Sequence, residues 1–209
     1  MLEIKKISKT YKKQTILKDI TIDVKSGDCI GLLGENGAGK STLLSILAGI
    51  TKADEGSFTY SPNTKAGYVP QENPLITDIS VRDNLSLWYG KEIPDIVHEL
   101  SLDDCLDKKV CHLSGGMKKR LSIAIAMADN PNLLLLDEPS AALDLVCKQI
   151  IRDYLESFCK KGGAVIIATH DEMELDICNG LFVINSGKCR SISCSLRGKE
   201  LIKELRSNE

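Results

Sequence analysis

Gly34-Glu35-Asn36-Gly37-Ala38-Gly39-Lys40-Ser41-Thr42 stands between an apolar run, Cys29-Ile30-Gly31-Leu32-Leu33, and a stretch with helical patterning from Ser41 to Ala48. Glycines at 34, 37 and 39 free the backbone from the limits that a Cβ imposes, so successive N–H groups can converge on one anion. Lys40 adds a point charge, and Ser41 offers a hydroxyl to a divalent cation. The N-terminal dipole of the helix that opens here points at the same place. The apolar run reads as a buried strand. Strand, glycine-rich turn and helix in that order form a phosphate-binding loop, and they imply a nucleotide-binding protein.

Upstream of the loop, Ile20, Ile22 and Val24 alternate with polar neighbours, and the stretch from Ile4 to Val24 predicts an antiparallel β-layer with one solvated face. Tyr11 falls in the turn region between these strands, where its ring is either a base-stacking platform or a half-buried surface group. Downstream, 57–60 and 65–69 predict two more short strands. Pro70-Gln71-Glu72-Asn73-Pro74 closes them with a loop that can continue neither way, and Gln71 sits at that hinge. Residues 80–89 predict a helix with Ser80 as N-cap and Val81, Leu85 and Trp88 on one face, followed by a second short helix after Pro94. Leu113-Ser114-Gly115-Gly116-Met117 breaks the pattern before a helix predicted over 118–128. Ser-Gly-Gly at a helix start is either an anion seat or an ordinary capping turn.

Asn132-Leu133-Leu134-Leu135-Leu136 reads as a fully apolar strand ending in Asp137-Glu138-Pro139. Two carboxylates therefore stand at the carboxyl end of a buried strand, where ligands of α/β sheets bind. Residues 144–158 predict a helix, and Ala164 to Ala168 a second buried strand ending in Thr169-His170-Asp171. A closing strand is expected over 181–184 and a surface helix in the charged tail from Arg197. The fold class is α/β, with repeated strand–helix–strand units.

Composition narrows the function. The 209 residues are 43% hydrophobic, enough for one domain with a substantial core and a smaller subdomain. A formal net charge of −2 and a pI near 6.0 remove any general electrostatic case for an anionic partner, so no nucleic acid is expected. The N-terminus lacks an apolar signal core, and no apolar run approaches the ~20 residues that cross a bilayer, so a soluble chain is expected. Eight cysteines include no Cys-x-x-Cys pair, which argues against zinc and for reduced, packed thiols, as in cytoplasm. Cys189 and Cys194 are the two expected to be open to oxidation.

In this order the pieces resemble the ATP-binding cassette (ABC) ATPase family, over about residues 2–187. Gly34 to Thr42 matches the Walker A loop, Gln71 the Q-loop, Leu113 to Met117 the family signature, Leu133 to Glu138 the Walker B strand, Ser140 to Asp144 the D-loop and His170 the switch histidine. The resemblance implies a P-loop NTPase core with a mostly parallel sheet, an N-terminal antiparallel β-subdomain and a small α-helical subdomain at about 72–129. All would belong to one nucleotide-binding domain over 1–209. ATP and Mg²⁺ are the implied ligands. Tyr11 would stack on adenine, and Gly34, Asn36, Gly37, Ala38, Gly39, Lys40, Ser41 and Thr42 would hold the nucleotide. Ser41, Gln71 and Asp137 would hold Mg²⁺, Asp137 directly or through water. Among the catalytic groups, Lys40 would neutralise phosphate charge, Glu138 would act as base, Gln71 would complete the metal or water shell, and His170 would contact the γ-phosphate. Ser114, Gly115, Gly116 and Asp144 would reach the nucleotide on a partner cassette, so the active unit would be a head-to-tail homodimer or heterodimer closed by ATP.

Met117 departs from the glutamine that many members carry, and Lys118-Lys119-Arg120 follows it as a basic run. These features, the brevity of the segment from Gln71 to Ser114 and the lack of an extra C-terminal domain resemble exporter-type cassettes of the ABC-2 class. Such cassettes serve separate integral membrane subunits, which would place this chain on the cytoplasmic face of the cell membrane. The alternative is a non-transport ABC ATPase acting on a soluble assembly machine. A transported substrate would contact the membrane partner, so its identity is not written in this chain.

Overall fold

The computed structural model describes residues 1–206. In chain order the first half comprises β1 (Leu2–Tyr11), β2 (Gln14–Val24), β3 (Cys29–Leu33), α1 (Lys40–Leu47), β4 (Glu55–Tyr60), β5 (Ala66–Val69), α2 (Val81–Tyr89) and α3 (Ile96–Glu99). The second half comprises α4 (Gly115–Ala126), β6 (Leu133–Asp137), α5 (Leu145–Lys160), β7 (Ala164–Ala168), α6 (Glu172–Leu175), β8 (Gly180–Asn185), β9 (Lys188–Ile192) and α7 (Gly198–Arg206). Two sheets organise them. The first is antiparallel, in the order β2-β1-β4, and the second runs β5-β6-β7-β3-β8-β9. Every pair in the second sheet is parallel except β8 with β9.

The parallel strands read as continuous apolar runs because both of their faces are covered. Ile30, Leu32, Leu133, Leu135, Ala164 and Ile166 pack on one side with the β1–β2 layer and with Leu43, Leu44 and Leu47 of α1. Cys29, Leu33, Leu134, Leu136, Val165 and Ile167 pack on the other with Leu85, Leu121, Ile151 and Leu155 of the helices. Alternate side chains point to opposite faces of a strand, so each strand feeds both cores.

This order also assembles the site. β6, β7 and β3 are adjacent and parallel, so their carboxyl ends lie side by side, and Asp137 is in register with Ala168. The glycine-rich loop leaves β3, the two carboxylates close β6, and Thr169-His170 follows β7.

Several expectations change. The two short strands over 57–60 and 65–69 divide between the sheets: β4 pairs with β1, and β5 with β6. β9 is an additional strand that the apolar pattern hid, because Lys188, Arg190 and Ser191 belong to an edge that needs only one apolar face. α4 begins at Gly115 rather than at Lys118. Ser114 caps it by accepting from the Met117 N–H at 3.2 Å, and two glycines of low helix propensity disguised its first turn. Trp88 leaves the apolar stripe of α2 and stands 63% exposed. Tyr89 takes the inward place four residues after Leu85, and its hydroxyl donates to the Ala124 carbonyl at 2.6 Å.

The basic run after the signature is not a charged surface, since Lys119 and Arg120 are buried. The eight cysteines are free thiols. Cys189 and Cys194 are partly buried rather than open, and burial pushes the Cys189 thiol up to about 12. The exposed cysteine is Cys111.

Candidate functional site

The loop from Gly34 to Gly39 is held tightly, and two of its glycines are required twice over. Gly39 caps α1 with φ 109°, and a Cβ there would lie 2.7 Å from a Leu17 methyl. Gly34 has φ 148°, and its Cβ would lie 2.4 Å from the Ile184 carbonyl oxygen. The loop is thus wedged between β2 and the end of β8, its turn closed by the Ala38 N–H donating to the Glu35 carbonyl at 3.1 Å.

Lys40 is only 6% exposed. Its ammonium donates to the carbonyls of Gly34 at 2.7 Å and Glu35 at 3.2 Å, and lies 3.1 Å from Nε2 of His170. Burial lowers its pKa, against the opposing pull of Glu138 and Asp137. A lysine ammonium has no acceptor, so Nε2 accepts and the proton of the neutral ring sits on Nδ1. Burial, followed by the Lys40 charge, holds the His170 pKa below its ordinary value and keeps the ring neutral.

Asp137 and Glu138 are neighbours with opposite circumstances. Asp137 is 3% exposed, and one carboxylate oxygen, Oδ1, has no protein partner. Burial raises its pKa, while a hydrogen bond with Ser41 lowers it. An orphaned buried carboxylate oxygen beside a hydroxyl is a hard oxygen donor set that suits a divalent cation. Glu138 instead projects toward the cleft. Its Oε2 accepts from Gln71 Nε2 at 3.3 Å, and its Oε1 stands 3.9 Å from His170 Nε2. Its backbone has φ 47°, a left-handed conformation that costs about 1 kcal/mol or more for such a residue, and its N–H donates to Ala168 at 2.9 Å.

A cleft of about 460 Å³ is lined by Tyr11, Ile16, Asn36, Gly37, Gly39, Lys40, Ser41, Thr42, Gln71 and Glu138, whereas Gly34, Ala38, Asp137 and His170 stand behind its lining. Ile16 is the one lining residue the sequence reading missed, because its place depends on how the β1–β2 hairpin folds over the loop. Tyr11 closes β1 beside a two-residue turn, Lys12 and Lys13, both in left-handed conformations. The Lys9 ammonium lies 5.2 Å from the Tyr11 ring centroid.

Lys119 is a second omission. It donates to the carbonyls of Pro70 at 3.0 Å and Gln71 at 2.8 Å, so α4 holds the backbone of the glutamine loop. Counted from Gly115, Gly116, Lys119, Arg120 and Ile123 share the buried face, and that spacing would have revealed a buried cation.

Glu174 is a third. The Ser140 hydroxyl donates to its Oε1, Thr169 also hydrogen-bonds to it, and Oε2 has no partner. Next to it, Asp171 caps α6 and pairs with Lys148 of α5. The histidine loop is therefore tied to residues 139–144. Burial raises the Glu174 pKa from an ordinary 4.5 to about 7. Between those two pH values an unfolded chain releases the proton while the folded chain keeps it. Stability should therefore fall as pH rises through that window and level out above it, by a loss on the order of 3 kcal/mol. Glu174→Gln should lack that part of the decline, as urea midpoints of both proteins at pH 5 and pH 8 would show. Equal pH slopes in the two proteins would contradict it.

Ser114, Gly115, Gly116 and Asp144 do not line the cleft within one chain. Ser114 and Gly115 are exposed, whereas Gly116 is pressed against α5, where a Cβ would meet Cys147 Sγ at 2.4 Å. Asp144 caps α5 by accepting from the Cys147 N–H at 2.9 Å, and the N–H groups of that turn hold its carboxyl below the usual range.

A glycine-rich loop between parallel strands and the N-terminus of α1, with paired carboxylates closing a neighbouring strand, defines a P-loop nucleotide-binding protein. The family model described as ABC transporter matches residues 17–141, and the chain belongs to that family of ATPases. It is similar to Nod factor export ATP-binding protein I of Burkholderia thailandensis, 33% identical over 90% of this chain and 68% of that protein. It is also similar to linearmycin resistance ATP-binding protein LnrL of Bacillus subtilis, 32% identical over 98% of this chain and 74% of that protein. The chain spans 61 to 74% of the length of these and similar curated relatives. Among solved structures, the dimeric post-hydrolysis state of the ATP-binding cassette MJ0796, bound to ADP and Pi, superposes with a TM-score of 0.83 at 26% identity, covering 95% of this chain and all of that one.

Proposed function

We propose that the chain is the ATP-hydrolysing subunit of an exporter and drives separate membrane subunits by ATP-dependent head-to-tail dimerisation. Residues 1–209 would form one nucleotide-binding domain, with the helical subdomain at about 72–129. One observation carries the dimer. The phosphate loop, Lys40, Gln71 and Glu138 line one cleft with His170 beside Lys40 and Glu138, while the exposed signature turn at the N-terminus of α4 does not line it. Both halves are used if a second chain brings its signature to the cleft. The dimeric cassettes among the structural neighbours, and the export named for the relatives, support this reading.

ATP would enter with its base on the open face of Tyr11 and its phosphates in the loop. Lys40 would exchange two carbonyls and a histidine for β- and γ-phosphate oxygens. Freed from Lys40, the Nε2 of His170 can serve the γ-phosphate only as a donor, which requires a proton on that nitrogen. Ser41, Gln71 and Asp137 would hold Mg²⁺, which would neutralise charge on the transferring phosphoryl group. Glu138, set between Gln71 and His170, would polarise the attacking water, and its strained backbone would aim the carboxylate. Tyr11→Ala should weaken ATP binding by roughly 1–2 kcal/mol, the scale of base–aromatic stacking, with Tyr11→Trp tolerated. Equal affinities for wild type and Tyr11→Ala in a nucleotide titration would leave the tyrosine no stacking role.

The membrane partner would sit beside the glutamine loop. A groove of about 480 Å³ beside the glutamine loop is lined by Tyr68, Pro70, Pro74, Leu75, Trp88 and Ile125, and Leu87 and Ile76 are exposed nearby. Exposed apolar surface next to Gln71 suits an amphipathic helix on the cytoplasmic side of a membrane subunit. No helix among the described residues is long and apolar enough to cross a membrane itself. Tagged chain should be recovered from cells in the membrane fraction with an integral membrane protein, and Trp88→Glu should release it while ATP hydrolysis by the isolated chain persists. Recovery with soluble assembly factors alone would favour the alternative partner.

A further inference from the structure

Three thiols from distant parts of the chain meet at the amino end of β3, opposite the phosphate loop. Cys29 opens β3, Cys159 lies in the last turn of α5, and Cys178 follows α6. The sulfurs of Cys29 and Cys178 are 3.7 Å apart, and the Cys159 thiol neighbours that of Cys29. Cys178 Sγ lies 3.3 Å from the Glu174 carbonyl and Cys159 Sγ 3.6 Å from that of Asp28. Nothing in ATP binding or hydrolysis uses these groups. Cys29 and Cys178 are buried, whereas Cys159 is only partly so.

The contacts also set an order of reactivity. The hydrogen bond from Cys29 holds the Cys159 thiol below its ordinary pKa, while the same bond, the one with Cys178 and burial push the Cys29 thiol up. Cys159, the one of the three that is not fully buried, is the thiol that a peroxide meets first, and the thiolate is the form that peroxides oxidise.

We propose that this cluster is an oxidation site, at which hydrogen peroxide oxidises Cys159 and Cys29 resolves the product into a disulfide. The Cys159 thiolate attacks the O–O bond, forming a sulfenic acid and releasing hydroxide, which takes up a proton to become water. The Cys29 sulfur then attacks the Cys159 sulfur, its own proton leaves with the departing hydroxide, and a second water forms. The two thiols lose two protons and two electrons, and one peroxide becomes two waters. Cys178 can then attack Cys29 and release Cys159, moving the bond inward. A disulfide needs its sulfurs about 2.05 Å apart, so the Cys29–Cys178 gap closes by less than roughly 2 Å. Cys178 sits against the carbonyl of the same Glu174 that grips Ser140, which connects the oxidised cluster to the loop at 139–144.

Peptide mapping tests this on the full chain carrying Cys111→Ser, which removes the exposed thiol. The protein is treated with hydrogen peroxide, alkylated after denaturation, digested without reduction and read by mass spectrometry. The expected result is the loss of two alkylatable thiols, with a linked peptide joining Cys29 to Cys159 or Cys178 and full recovery after dithiothreitol. Cys159→Ser should slow formation of any linkage at Cys29 at least ~10-fold. Complete alkylation of Cys29, Cys159 and Cys178 after peroxide, or oxidation of Cys159 to sulfinic or sulfonic acid with no linkage, would overturn the proposal. Mapping the parent protein decides this whether or not a Cys29 variant folds.

Discussion

Glu138→Gln is expected to bind ATP as the parent protein does and to hydrolyse it on the order of 10²-fold or more slowly. The substitution keeps the shape of the side chain and an oxygen for Gln71, which stands 3.3 Å from Oε2. It removes the negative oxygen that would draw a proton from water. The cradle contributed by Lys40 and the loop amides stays intact, so the transition state loses its base while the ground state keeps its contacts. A variant that binds but does not hydrolyse should also accumulate as a closed dimer, visible by sizing in Mg-ATP. Turnover near that of the parent, or an unchanged mass with ATP, would remove Glu138 from this role.

Most of the residues that line the cleft were legible because they stand in local patterns. Gly34, Gly37 and Gly39 before Lys40 specify a loop, and Asp137-Glu138 after a run of leucines specifies the end of a buried strand. Parallel pairing of β6, β7 and β3 then brings those ends together, as repeated strand–helix units require. What escaped was set by packing between distant segments. Lys119 sat in a basic run, and its burial follows from where α4 begins, which the two glycines hid. Glu174 sat among acidic neighbours in a four-residue helix too short to show a face, and its role in gripping Ser140 arises only when α6 docks on the loop at 139–144. The contact of Cys29 with Cys178 crosses 149 positions of sequence, and no periodicity could announce it. Trp88 failed differently. The row Val81, Leu85, Tyr89 is an i, i+4 series, and with Tyr89 taking its inward end, the tryptophan one place earlier turns to solvent.

The second large effect concerns whether the signature of one chain acts on the nucleotide of another. Ser114 and Gly115 are exposed and stand away from the cleft that holds Lys40, so the two should belong to different sites of a dimer. Lys40→Ala removes the buried cation from the cradle, and Ser114→Arg places a bulky cation on the helix end that would receive the γ-phosphate. If one chain carries Lys40→Ala and its partner carries Ser114→Arg, one composite site collects both lesions and the other is whole. If both substitutions are placed in one chain and the partner is unchanged, each composite site receives one lesion and neither is whole. The two dimers contain the same substitutions, so differences in stability or nucleotide supply cannot mimic the contrast. Single-turnover hydrolysis, followed by acid quench on tagged, co-purified heterodimers, should therefore appear in the first dimer and be absent from the second. Hydrolysis in the second dimer and none in the first would mean that each site lies within one chain, and would contradict the account.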